Sequence, residues 1–320
     1  MKKVILLLLS VLTFPVVLFA QYDGQVSQYM LNPAGFNPSA IGMSGMMDIT
    51  GQHRLQWIGM PNGGTTTWFT LNTPLRVGSN RHSAGIRFGN DRVGLFSTQG
   101  VHFQYAYRMK AGKGELRLGI QPGFLSVGFS GDSVRMPKNP SSEYHEGGSD
   151  PAIPTSAVQG LGMDLGAGLW YTRGNAYAGI SASHLTAPVI SWSDEQDFTP
   201  ATTLYLTGGY AKTLRDPRYV LKPSVLVQTD LVAWMAELSV VGYYDQQYWG
   251  GISYRIGNAV VLMAGITIAN GLALGYSFDI PASPIIRATW GSHEVLLSYQ
   301  LNINAGGGGK RKTYKSIRIL

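Results

Sequence analysis

Histidine, serine and acidic residues are the side chains of this sequence that could support hydrolytic or metal chemistry. There is no cysteine to ligate zinc, and none of the six histidines (His53, His82, His102, His145, His184 and His293) lies in an HExxH motif. Ser183-His184 and Ser292-His293 are adjacent, but neighbours along a strand point to opposite faces and cannot pair as nucleophile and base. We therefore expect no catalytic residue, no metal site and no cofactor.

Three alternatives to that expectation exist. A long-range triad of Ser298, His102 and Asp164 would require the fold to bring three distant strands together. The glycines of residues 160–166 resemble a phosphate loop, but they lie inside an alternating strand that no helix follows. Oxygen ligands for Ca²⁺ occur in two acidic stretches, although a solvated loop has the same composition. Those stretches contain Glu146, Asp150, Asp194, Glu195 and Asp197.

The elements that must position these side chains are β-strands. In residues 292–304 apolar and polar residues alternate, and Leu296 is the one exception. A period of two residues indicates a strand with one apolar and one polar face. A length of about ten residues suffices for a tilted strand to cross a bilayer.

Similar segments recur along the chain and predict an all-β transmembrane barrel of about fourteen antiparallel strands. Inward-facing polar residues and outward-facing apolar residues are the signature of such barrels. The predicted strands are 47–57, 65–75, 83–90, 98–109, 115–127, 160–172, 176–184, 202–213, 219–229, 234–244, 246–256, 259–268, 270–279 and 294–303.

Connection lengths predict which way the barrel faces. If the first strand starts in the periplasm, every long connection falls on the outer side and none on the periplasmic side, as in bacterial barrels. Charges of both signs on the inward faces would pair across the lumen and close it. Several inward positions are glycine, where a plug could approach the wall closely: Gly162, Gly166, Gly168, Gly251 and Gly275.

Composition supports the barrel and argues against nucleic-acid binding. Charged residues make up 13% of the chain, against about 25% in ordinary soluble proteins. The mean hydropathy of +0.02 is too low for a helical membrane protein. The net charge of +7 is carried entirely by Lys2, Lys3 and the C-terminal residues Lys310, Arg311, Lys312, Lys315 and Arg318. Residues 21–309 are formally neutral, and we expect no basic face on the body of the protein.

The two ends of the chain differ from the barrel. Residues 1–20 have the basic and apolar regions of a signal peptide. Residues 21–46 contain Asn32-Pro33 and Asn37-Pro38, which disfavour strand pairing, and form either a surface leader or a plug in the lumen. The barrel would span 47–304. Residues 305–320 combine a glycine linker with a basic tail, which would be a solvated end, a lipid contact or a periplasmic docking peptide.

The order of several short motifs resembles the PorP/SprF family of outer-membrane proteins, from the type IX secretion and gliding-motility machinery of Bacteroidetes. The matching segments run from residue 25 to the C-terminus. They are Gln28-Tyr29-Met30-Leu31-Asn32-Pro33 with Asn37-Pro38, Gln52 with Gln56-Trp57, Leu221-Lys222-Pro223-Ser224, Trp249-Gly250-Gly251-Ile252-Ser253-Tyr254-Arg255, Gly275-Tyr276-Ser277-Phe278-Asp279, Ser292-His293-Glu294 and Lys315–Leu320.

This resemblance implies a non-enzymatic barrel in the outer membrane. It would work with periplasmic and outer-membrane components of the secretion machinery, with secreted proteins carrying C-terminal sorting domains, and with membrane lipids. Trp249 would anchor one rim of the barrel, and Arg255 would pair with Asp279 in the lumen. The expected plug and lumen residues are Asn32, Pro33, Asn37, Pro38, Arg255, Asp279 and Glu294. The expected partner-binding residues are Lys310, Arg311, Lys312, Tyr314, Lys315, Ile317, Arg318 and Leu320.

Two rival functions follow from the same barrel. A porin-like channel or small-molecule uptake barrel would have an open, polar lumen. An outer-membrane hydrolase would need the long-range triad.

Overall fold

A computed structural model of the chain describes residues 23–75, 81–134, 154–193, 196–268 and 271–302. Fourteen long strands dominate it. They are β1 (Met47–Leu55), β2 (Thr65–Leu75), β3 (His82–Val93), β4 (Phe96–Ala111), β5 (Gly114–Ser130), β6 (Ala157–Arg173), β7 (Ala176–Ser183), β8 (Thr203–Tyr210), β9 (Tyr219–Thr229), β10 (Trp234–Tyr244), β11 (Tyr248–Arg255), β12 (Ala259–Thr267), β13 (Leu272–Pro281) and β14 (Ser292–Leu301).

Each strand pairs with its neighbours in antiparallel register, and the sheet closes on itself. The closing pair joins β1 to β14, with Met47 opposite Leu301 and Leu55 opposite His293. Short pieces at Ile190–Ser191 and Asp197–Phe198 form a separate hairpin, and Lys212–Thr213 adds to β9. All fourteen predicted strands are confirmed. A closed barrel leaves no strand edge unpaired, which is what a lipid environment demands.

Side-chain alternation separates the lumen from the outer surface of the barrel. In β14 the side chains of Val295 and Leu297 are exposed on the outside, whereas Glu294, Leu296 and Ser298 are buried. Leu296, which interrupts the alternation in the sequence, thus faces an apolar part of the lumen. Among the described residues no helix has the length and apolarity needed to cross a membrane.

Strands β4 to β6 extend beyond the lengths predicted from the sequence, to 16 or 17 residues. About ten residues suffice for a tilted crossing, so these strands project past the bilayer. In the projecting part of β5 the polarity is reversed: Leu125 and Val127 face inward, and Ser126 and Gly128 face outward. The inward side is covered by the hairpin that contains Ile190. The predicted strand 115–127 already includes Leu125 and Val127, and the structure extends it by residues 128–130.

The four longest connections lie at one end of the barrel, as predicted. That end carries the connections 56–64, 131–156, 184–202 and 282–291 together with the short ones 94–95, 230–233 and 256–258. The other end carries the connections 76–81, 112–113, 174–175, 211–218, 245–247 and 268–271. In bacterial barrels the longer loops face outward and the short turns face the periplasm. We call the two ends the outer end and the periplasmic end.

Residues 23–46, which we call the plug, lie inside the lumen. Three short 3-10 helices, Tyr29–Leu31, Pro33–Gly35 and Pro38–Ala40, give the plug its compact course, and every residue in them is buried. The plug descends from the outer end to the start of β1 at the periplasmic end. Trp249 packs in the same apolar cluster as Tyr29 and is 6% exposed, so the interpretation of Trp249 as a rim anchor is wrong.

Candidate functional site: the plug and its anchors

A buried ion network lies in the outer half of the lumen. It consists of Arg54, Glu237, Arg255, Asp279 and Glu294, which come from five different strands. Asp279 contacts the guanidinium groups of Arg54 at 2.8 Å and of Arg255 at 3.0 Å. Arg255 also contacts Glu237 at 2.8 Å. Every one of these side chains is at most 2% exposed.

The ion network holds the plug through Ser27 and Gln28. The Ser27 hydroxyl donates to Asp279 at 2.8 Å and accepts bonds from Arg54 at 2.7 Å and Arg255 at 3.0 Å. The backbone N–H groups of Ser27 and Gln28 donate to the two oxygens of Glu294 at 2.6 and 2.8 Å. Hydrogen bonds to an ionised group are worth about 1.5–3 kcal/mol each, so this contact anchors the plug strongly.

A second anchor fixes the first described residue, Asp23. One of its oxygens lies 2.9 Å from Nε2 of His184, and the other accepts a hydrogen bond from the hydroxyl of Tyr205. Nδ1 of His184 lies 3.0 Å from Asp164, which in turn contacts His102 at 2.8 Å. An imidazole flanked by two carboxylates is stabilised in its doubly protonated form.

The pKa values of this anchor follow from its geometry. His184 lies in the loop after β7, and burial alone would lower its pKa, but the charges of Asp23 and Asp164 outweigh burial and raise the pKa of His184 to about 10. Burial would raise the pKa of Asp23, but His184 and Tyr205 together hold it below its ordinary value. The two groups therefore form an ion pair at neutral pH.

The two Asn-Pro steps shape the lower plug. The amide of Asn32 bridges Gln52 at 3.3 Å and Thr70 at 3.0 Å on the wall. The side-chain oxygen Oδ1 of Asn37 caps the third 3-10 helix by accepting a hydrogen bond from the backbone N–H of Ser39 at 3.0 Å. The Asn37 amide donates to backbone carbonyls of β6 and β7 at 3.3 Å. Each proline then supplies a fixed φ at the first position of a helix.

Two of the five expected wall glycines meet the plug. A Cβ at Gly168 would lie 2.2 Å from Asn37, and one at Gly275 would lie 2.3 Å from Gln28. Gly119, which the sequence analysis did not single out, is an equally close contact, since a Cβ there would lie 2.2 Å from the backbone nitrogen of Ser39. At Gly162, Gly166 and Gly251 the nearest atoms belong to the barrel or the outer hairpin.

The periplasmic end holds a basic cavity of about 500 Å³, lined by residues of β4, β5, two turns and the plug. Arg117 is buried in its wall and donates to the carbonyl of Ile41 in the plug at 3.1 Å. Arg108 lies directly opposite Arg117 in the β4–β5 ladder and contacts Glu115 at 3.6 Å. The lining residues are Met43, Lys110, Gly112, Lys113, Gly114, Glu115, Arg117, Thr172 and Gly174.

Charge is segregated between the two ends of the described barrel. The periplasmic half carries ten basic residues (Arg81, Arg108, Lys110, Lys113, Arg117, Arg173, Lys212, Arg215, Arg218 and Lys222) against four acidic ones (Asp48, Glu115, Asp216 and Asp245). The outer half carries five basic residues (Arg54, Arg87, Arg92, Arg255 and Arg287) against nine acidic ones (Asp23, Asp91, Asp132, Asp164, Asp197, Asp230, Glu237, Asp279 and Glu294). The expectation of a body without a basic face is therefore wrong, because a formal sum of zero hides this segregation.

The residues of the long-range triad do not come together. His102 and Asp164 are paired, but the Ser298 hydroxyl accepts a hydrogen bond from Thr50 at 3.1 Å on a distant part of the wall. Within the described ranges no cluster of three acidic or histidine side chains is arranged to hold a metal ion. Four of the five acidic residues considered for Ca²⁺ and the whole tail lie outside those ranges: Glu146, Asp150, Asp194, Glu195 and residues 310–320.

Sequence reasoning missed Ser27 and Asp23 as anchoring residues. Both precede the Asn-Pro steps in a segment without periodicity, and most of their partners lie more than 150 residues away along the chain. Small polar side chains in such a segment carry no local signal of a buried ion site.

Comparisons with known proteins give one family match. The family described as type IX secretion system membrane protein PorP/SprF matches residues 18–299. No curated protein matches the chain. Among solved structures the chain is similar to the toluene transporter TbuX of Ralstonia pickettii, with 10% identity over 83% of this chain and 92% of that one and a TM-score of 0.48. A monoaromatic hydrocarbon channel, CymD, is 12% identical over 88% and 94% of the two chains, with a TM-score of 0.46.

The family match covers most of the chain, and the fold is a closed barrel with an apolar outer surface, a design that belongs to outer membranes. The chain is thus an outer-membrane protein and belongs to the PorP/SprF family of type IX secretion system membrane proteins.

Proposed function

We propose that this barrel is a non-enzymatic component of the type IX secretion machinery that recruits or anchors periplasmic ring components, secreted cargo or both. The observation that carries the proposal is the anchored plug. Ser27 of the plug lies in the outer half of the lumen and is tied there to Asp279, Arg54 and Arg255. A barrel whose lumen is filled in this way is better suited to hold partners than to pass solutes.

The basic tail is the docking element of this proposal. Its cations Lys310, Arg311, Lys312, Lys315 and Arg318 have no acidic neighbour, and Tyr314, Ile317 and Leu320 add apolar contacts. The fourteen strands close on one another, so strand addition by this tail would use an edge supplied by the partner's sheet.

Cross-linked envelopes test the recruitment step. The full chain and a variant lacking residues 310–320 are purified under denaturing conditions after cross-linking, and the attached periplasmic proteins are compared. We expect the truncated barrel to assemble with normal heat-modifiable migration and to lose its cross-linked partners and secretion. Unchanged secretion by the truncated barrel would contradict the docking role of the tail.

Planar-bilayer conductance separates recruitment from passive transport. The plugged barrel is expected to show no large, steady conductance. A persistently open pore in the intact protein would favour the porin-like alternative and overturn the recruitment proposal.

A further inference from the structure

We propose that the basic cavity at the periplasmic end binds an acidic segment of a protein partner. This inference rests on the proposed function and gives its partner a chemical description. The cavity is built by the β4–β5 turn, the β6–β7 turn and Met43 of the plug. It therefore lies where the plug leaves the lumen on the periplasmic side.

The basic side chains of the β4–β5 ladder favour the binding of an anion in the cavity. Arg108 and Arg117 are directly opposed on neighbouring strands, and like charges in that position repel each other. Lys110 occupies the same face of β4, with Glu115 opposite. Of the cavity-lining residues that the structure describes, Glu115 is the one carboxylate, and it contacts Arg108 at 3.6 Å. Lys110, Arg117 and Lys113 line the same cavity, so basic side chains outnumber acidic ones in this described lining.

Arg117 distinguishes the cavity from a basic patch on the surface, because its guanidinium is buried. It is 7% exposed, and among the described residues its guanidinium forms no ion pair with a carboxylate. Its hydrogen bond goes to the neutral carbonyl of Ile41. A buried guanidinium is most stable against a carboxylate or phosphate, which it binds through two parallel hydrogen bonds.

The position of the cavity favours a protein segment over a lipid headgroup. Arg117 faces the lumen and contacts the plug, whereas the neighbouring Leu118 faces the lipid. A headgroup at the outer surface of the barrel cannot reach Arg117. The volume of about 500 Å³ accommodates several side chains, far more than one phosphate requires. The basic periplasmic half would also attract an acidic segment from a distance.

A peptide-binding assay tests the cavity directly. The probe is a fluorescein-labelled peptide of about twelve residues that alternates glutamate and serine, and the control peptide replaces glutamate with glutamine. Anisotropy is measured with the full chain in neutral detergent. We expect binding of the glutamate peptide alone, weakening as salt rises because exposed charges are screened.

Paired variants localise the site. Lys110→Gln with Lys113→Gln is expected to weaken peptide binding about tenfold, since two contacting cations are lost. The matched control Lys212→Gln with Arg215→Gln removes the same charge from another periplasmic turn and should change binding less than about twofold. Equal losses in both pairs would overturn the proposal, because the attraction would then be diffuse.

Nanodiscs distinguish the two sources of anion. If phosphatidylglycerol nanodiscs, but not phosphatidylcholine nanodiscs, abolish peptide binding, the cavity belongs to lipid and the proposal is wrong. If the wild-type chain fails to bind the peptide while cross-linked partners persist, the cavity proposal fails and the proposed function stands. Peptide binding without any cross-linked partner would support the cavity and count against recruitment.

Discussion

The two ends of the lumen use charge in opposite ways. In the outer half, Arg54 and Arg255 are surrounded by three carboxylates and a serine of the plug, and all are buried. At the periplasmic end, Arg108 and Arg117 repel each other across a ladder with one carboxylate nearby. The outer end already contains its partner, which is the plug. In the described part of the chain, the periplasmic end carries more basic than acidic side chains.

We expect the outer ion network to fix the position of the plug more than to raise the free energy of unfolding. Removing charges from water costs nearly as much as their pairing returns, so a buried network adds little net stability. The ion network does, however, make any conformation that leaves one of its charged groups without a partner unfavourable. The plug supplies Ser27 to that network and is therefore held in one position.

The largest expected effect comes from breaking the outer ion network. Asp279→Ala leaves Arg54 and Arg255 without their shared carboxylate, and the loss of one partner of a buried pair costs about 3–5 kcal/mol. We expect hydrogen exchange at Ser27 and Gln28 to accelerate by two orders of magnitude or more, with channel openings in planar bilayers. Asp197→Asn, at an exposed outer position, is the control. Unchanged exchange in Asp279→Ala would show that the network does not hold the plug.

A steric change should act on the plug with a smaller effect. In Gly119→Ala the new Cβ would lie 2.2 Å from the backbone nitrogen of Ser39, and overpacking of this kind costs about 1–3 kcal/mol. We expect faster hydrogen exchange in the third 3-10 helix of the plug. Gly51→Ala is the matched control, because a Cβ there meets nothing within 4 Å. Equal effects in both variants would mean that glycine matters only to the strand.

The second anchor should respond to pH. The pKa of His184 is raised to about 10, so its pairing with Asp23 is fully present below its ordinary pKa of 6.5 and is lost as pH rises through about 10. The pKa of Asp23 is lowered, so its contribution is present above 3.8 and is lost as pH falls through the lower, folded value. Exchange at Gly24, corrected for the intrinsic rate, should be constant from pH 5 to about 6.5, accelerate progressively as pH rises above 6.5, and level off above about 10. His184→Gln should abolish that dependence.

The smallest effect is expected from the periplasmic cations. Lys110→Gln with Lys113→Gln should change plug protection by less than about 0.5 kcal/mol, since both side chains are exposed. Hydrogen exchange along residues 26–42 provides the measurement. A marked loss of protection would show that these lysines support the plug, and the contrast between the two ends would disappear.

Much of the barrel was predictable because a lipid-facing strand must alternate. The alternation of β4, β10, β11 and β14 is local and survives in a single sequence. The predicted strand 115–127 includes Leu125 and Val127, but residues 128–130 of β5 and 157–159 of β6 were missed, and the apolar cap beside them forms only in the folded chain.

The anchors were far less predictable than the strands. Arg255, Asp279 and Glu294 could be assigned to the lumen from their alternation, but their convergence on Ser27 depends on barrel closure. Likewise, the sum of charges along the body gave no sign of segregation. The sign of the net charge at each end of the barrel becomes apparent only when turns far apart in the chain are brought to the same rim.

The bonds from Ser27 to Glu294 have a consequence for assembly. They join residues separated by 267 positions, one near the start of the plug and the other on the final strand. Bringing together residues so far apart costs chain entropy, so we expect this contact to form late in folding. We therefore expect the last strand to close the wall and fix the plug in the same step, and an unfinished barrel to hold its interior loosely.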